Sequence, residues 1–88
     1  MIRSHTFRGK RWRIKYRRMK EYSGSCDPPT EPEKVIMVHP QLEGLDELDT
    51  WIHEALHATV WDLDEEAVNE SARDIARLLW RLGYRRTT

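Results

Sequence analysis

Residues 11–17 alternate strictly. Trp12, Ile14 and Tyr16 fall on one side, and Arg11, Arg13, Lys15 and Arg17 on the other. Period 2 with aromatic and β-branched residues predicts a half-buried strand, which we extend to about 6–17. A second apolar run, residues 34–39, stops at Pro40 and predicts another strand, expected to lie antiparallel to the first. Between them, residues 23–33 hold three prolines and a glycine and read as a loop.

The period then changes. Leu45, Leu48, Ile52, Ala55, Leu56, Thr59 and Val60 recur at three- and four-residue spacing, which predicts a helix over about 45–60. Asp64 is a natural N-cap, with Glu65 and Glu66 in the turn where the helix dipole favours acids. Val68, Ala72, Ile75, Leu79 and Leu82 mark a second helix over about 65–82, and Gly83 stands where a C-terminal glycine cap belongs. Together these elements predict an α+β fold, a small antiparallel sheet packed on a two-helix hairpin, in a single domain spanning 1–88.

Composition narrows the function classes. Eighty-eight residues exclude any large multi-domain enzyme. The formal net charge is zero, but it is a cancellation: residues 1–22 carry +8, residues 23–80 carry −11, and residues 81–88 carry +3. Cys26 is the only cysteine, so no internal disulfide forms. The longest apolar run is Val35 to Val38, far short of a membrane span. No apolar run follows the charged N-terminus, so the expectation is a cytoplasmic protein with no membrane partner.

The chemistry concentrates in residues 53–57, His53-Glu54-Ala55-Leu56-His57. Positions i and i+4 share a helix face, so both imidazoles can reach one metal ion. Glu54 is rotated by about 100° from His53, beside the ion rather than on it, placed to take a proton from water. A catalytic zinc takes three protein ligands and leaves a position open for water. Leu63 stands where a third histidine of the extended pattern would fall. The third ligand is therefore expected from the next helix, at Glu70 or, one turn earlier, Glu66. Asp74 lies one turn beyond Glu70 and could hold a ligating histidine in its tautomer.

Ala67 to Ile75, read with the His-Glu-x-x-His helix, resembles the Asn-Glu-x-x-x-Asp segment of the gluzincins, the thermolysin-like zincin metallopeptidases. The resemblance covers residues 51–76. It implies a minimal zincin that hydrolyses peptide or protein substrates with one zinc ion, His53, His57 and Glu70 as ligands, Asp74 in support and Glu54 as general base. The large C-terminal subdomain of that family is absent. The whole chain also resembles small phage and prophage proteins carrying the same motif, which implies a host-cell cytoplasmic setting.

Further residues complete the expectations. His39 and Tyr84, and also Tyr22, are candidates for contacting a substrate or a developing oxyanion. Cys26 could cap the zinc, and strand 34–39 could accept an extended peptide by edge addition. Residues 8–20 could contact nucleic acid, although a solvated strand face is the reading adopted for them. The alternative to a peptidase is a non-catalytic binding module stapled by zinc, which contacts a host protein or nucleic acid through that basic strand.

Overall fold

The computed structural model describes residues 2–87. Strands β1 (Ser4–Phe7), β2 (Lys10–Tyr16), β3 (Gly24–Cys26) and β4 (Lys34–Val38) are followed by helices α1 (Gly44–Thr59) and α2 (Glu65–Arg81). The expected α+β architecture is present, a sheet packed on a helical hairpin, but the sheet is mixed and has the order β1-β2-β4-β3.

Three details depart from the sequence reading. The strand expected over 6–17 is a hairpin, because Arg8 (φ 50°) and Gly9 (φ 81°) both take left-handed conformations. Two such residues between Phe7 and Lys10 make the tight turn whose twist suits antiparallel strands. β2 and β4 run parallel, with Trp12 opposite Lys34 and Tyr16 opposite Val38. The intervening chain is long enough to return to the same end of the sheet. On the way it forms β3, which pairs antiparallel with β4 (Ser25 opposite Met37) inside the segment expected to be a loop. β4 is thus paired on both sides and cannot take up a peptide at an edge; β3 and β1 are the edge strands.

α1 lies between the sheet and α2, touching β1, β3 and β4 on one side and α2 on the other. Trp12, Ile36 and Ala58 form the core between sheet and helix, with Phe7, Ile14, Cys26 and Trp51 packed around them. Val68, Ala72 and Ala76 are fully buried on the inward side of α2. Small alanines there let the two helices approach closely. The expected apolar stripe of α2 is rotated in consequence, and Ile75 and Leu82 are exposed.

The caps are those the sequence indicates. The Asp64 carboxylate accepts from the Ala67 amide at 2.8 Å. Gly83 (φ 95°) closes α2, with its amide donating to Trp80 O and the Tyr84 amide to Leu79 O, each at 3.0 Å. Arg8 donates to Thr59 O at 2.9 Å, tying the hairpin turn to the C-terminal end of α1. Among the described residues, no helix is long and apolar enough to cross a membrane.

Candidate metal centre

His53 and His57 project from one face of α1 toward the start of α2. Their Nε2 atoms are 3.1 Å apart, with ring centroids 4.8 Å apart. Glu65, the first residue of α2, straddles them. Its Oε1 is 3.1 Å from His53 Nε2 and its Oε2 is 3.1 Å from His57 Nε2. These three residues are the one His/Cys/Asp/Glu group among the described residues whose donor atoms converge closely enough to hold a metal ion.

The triangle fits a metal. Tetrahedral zinc with bonds of about 2.0–2.1 Å separates its ligand atoms by about 3.3–3.4 Å, within a few tenths of an ångström of the observed spacing. Two imidazoles and a carboxylate are also the donor set of one class of catalytic zinc site. Burial, the largest effect on His57, holds it below the ordinary imidazole range, while the Glu65 charge pulls the other way. Burial thus favours the neutral imidazole, the form that ligates metal. The Glu65 side chain is 65% exposed, so the centre opens to solvent.

The carboxylate that converges with the two imidazoles is Glu65, not Glu70 or Glu66. Val68 and Ala72 define the inward face of α2. Glu70 and Glu66 each lie two residues from Val68, a rotation of about 200°. Both are exposed on the far side of the helix, as is Asp74, two residues past Ala72. Glu65 is three residues before Val68, about 60° from the inward direction. The connection over residues 60–64 is short, so the first turn of α2 lies beside the last turns of α1. That shortness, together with the buried face, is the signal for Glu65; its place after the Asp64 cap marks it only as a helix-dipole acid.

Glu54 lies about 100° round α1 from His53, on the side toward β3. It is 5% exposed, and burial, then the Glu65 charge, pushes its carboxyl up to about 7. A cavity of about 300 Å³ joins Glu54 to His53 and is lined also by Tyr22, Gly24, Asn69 and Arg73. Gly24 is a glycine for reasons of space: a Cβ there would lie 2.7 Å from Glu54 Oε2 and 2.8 Å from Thr50 Cγ2. Gly24→Ala is expected to destabilise the protein by about 1–3 kcal/mol, measured by urea denaturation. An unchanged midpoint would show that Glu54 is not seated on β3.

The remaining candidates sort clearly. Tyr22 lines the Glu54 cavity. Tyr84 does not; it lines a separate groove of about 780 Å³ beside Trp80 and Arg85. His39 stays at the end of β4, where its Nδ1 accepts from the Gln41 amide at 3.2 Å, outside the metal-binding group. Cys26 packs against the core, and burial, then the charges of Glu54 and Asp27, raise its thiol to about 12. Its sulfur is outside the His53, His57 and Glu65 group. Comparison with family models, curated proteins and solved structures gives no match.

Proposed function

We propose that the chain is a minimal zinc-dependent metallopeptidase, with His53, His57 and Glu65 holding the ion and Glu54 acting as general base. The observation that carries this reading is the convergence of three donors at 3.1 Å beside a buried carboxylate on the same helix. A zinc ion there would supply the Lewis acidity that peptide hydrolysis needs at the carbonyl oxygen and at the attacking water. Glu54 accepts the proton of that water and later delivers it to the leaving amine. A carboxyl raised to about 7 suits both halves of that exchange near neutral pH. β3 supplies the substrate platform: it is an edge strand whose Gly24 touches Glu54, so an extended peptide added along it passes the base.

Zinc titration in competition with a chromophoric chelator tests the ligand set. One ion per chain is expected, with Glu65→Ala weakening binding by about 100-fold or more, the upper end of what loss of a supporting partner costs. Glu70→Ala should leave binding unchanged. Equal loss in both variants, or loss only in the second, removes Glu65 from the site. Hydrolysis of a mixed peptide library, abolished by chelator and restored by zinc, tests the activity.

One feature favours a second reading. The ligands come from both helices, so the ion would also staple α1 to α2 in a small domain. If chelation unfolds the protein and no peptide is cleaved, the centre is a structural staple and the chain a binding module.

A further inference from the structure

The metal centre uses the helical layer and one edge of the sheet, and leaves the opposite sheet face unexplained. β2 is an interior strand, between β1 and β4. Trp12, Ile14 and Tyr16 turn toward α1, so Arg11, Arg13 and Lys15 turn away from it, and Arg17, Arg18 and Lys20 follow in the next segment. The register sets Thr6 and Ser4 beside Arg11 and Arg13 on one flank, and Val35 and Met37 beside Arg13 and Lys15 on the other. No helix covers this face: α2 contacts only α1, and α1 packs on the side of Trp12 and Ile36.

The cations on it are unpaired. Among the described residues, the ion pairs are His53–Glu65, His57–Glu65 and Arg86–Glu47, and none involves the basic strand. The acids that balance the total charge are in residues 23–80, which carry −11. Arg11, Arg13 and Lys15 thus share one sheet face, while the excess of acids belongs to residues 23–80.

We infer that this face is a docking surface for duplex nucleic acid, bound through its phosphates. Alternate residues of a strand are about 6.6–6.8 Å apart, a step comparable to that between successive phosphates along a nucleic-acid backbone. Arg11, Arg13 and Lys15 thus form a regular row of cations, and the hydroxyls of Ser4 and Thr6 stand beside it as further phosphate donors. The aromatic residues of β2 point the other way, so this face has no stacking platform for unpaired bases. Recognition is of backbone charge and independent of sequence. The inference does not depend on the peptidase reading.

Fluorescence anisotropy with a labelled 20-base-pair duplex tests it, with salt varied from 50 to 200 mM. The expected Kd lies between about 10⁻⁴ and 10⁻⁶ M at physiological salt. The expected slope of log K against log salt is about −2.7 to −3.6, for three or four phosphates. The triple variant Arg11→Gln/Arg13→Gln/Lys15→Gln should bind at least about 30-fold more weakly at 50 mM salt and lose about 2 to 3 from the slope. Its thermal midpoint should fall by no more than a few degrees, since Arg11 and Arg13 are exposed and Lys15 is half-buried. Arg77→Gln/Arg81→Gln, on the exposed side of α2, should bind as the parent does. Absence of saturable binding, equal affinity in the triple variant, equal loss in the α2 variant, or tighter binding to a single strand than to the duplex would each overturn the inference.

Discussion

Glu54→Gln is expected to keep the zinc and to lose peptide hydrolysis by about 10²–10⁴-fold, the range that general acid–base catalysis supplies. The amide fills the same space against Gly24 and Thr50, so the helix and its two histidines have no reason to move. It cannot accept a proton, so the loss should fall on kcat while zinc affinity stays within about twofold. Full activity in the variant would exclude Glu54 as the base.

The same substitution has a thermodynamic signature in the metal-free protein. Glu54 titrates at about 7 in the folded chain against an ordinary value of 4.5. Between these values the folded state holds more protons than the unfolded one, so stability falls as pH rises through that window. Above about 7 the whole cost is present, on the order of 3 kcal/mol. Glu54→Gln removes that cost. Urea denaturation of both metal-free proteins should therefore show the variant gaining on the parent between pH 5 and pH 8. His57, held low by burial, acts in the opposite direction, losing stability as pH falls. It is present in both proteins and cancels in the comparison. A stability difference independent of pH would contradict the buried setting of Glu54.

Trp12→Ala is expected to cost about 3–5 kcal/mol. Trp12 is 0% exposed and is the largest fully buried side chain. Its ring meets Phe7 edge-on at 5.7 Å between centroids, and its Nε1 donates to Asp27 O at 3.0 Å. Truncation leaves a cavity between sheet and α1 and removes the bond that holds the turn after β3. Natural domains have about 5–15 kcal/mol in all, and each kcal/mol moves the midpoint of a domain this size by about 4–8 °C. A fall of at least about 12 °C in thermal denaturation follows. A change of a degree or two would mean that Trp12 is not the centre of the core.

What the sequence disclosed, and what it hid, follows from where each piece of information is stored. The Trp12-Ile14-Tyr16 alternation, the Asp64 cap, the Gly83 terminus and the i, i+4 histidines are local, and each appears in the structure as read. β3 was hidden because Gly24-Ser25-Cys26 has little strand preference of its own; pairing with β4 makes it a strand. The parallel course of β4 depends on that same detour. Glu65 was hidden because the inward face of α2 is set by Val68, Ala72 and Ala76. Two of these are alanines, which mark a helix face weakly, whereas Ile75 and Leu82 mark it strongly and are exposed. Glu70, expected from the depth of the returning helix and from the family segment, thus stands on the exposed side of α2.

The proposed function stands on His53, His57 and Glu65 holding a metal ion. Anomalous diffraction at the zinc edge, from crystals of the full chain grown with one equivalent of zinc, tests it most directly. A single strong peak is expected about 2.0–2.2 Å from His53 Nε2, His57 Nε2 and a Glu65 carboxylate oxygen. No peak between the two imidazoles, or a peak held by Glu70 in place of Glu65, would contradict it.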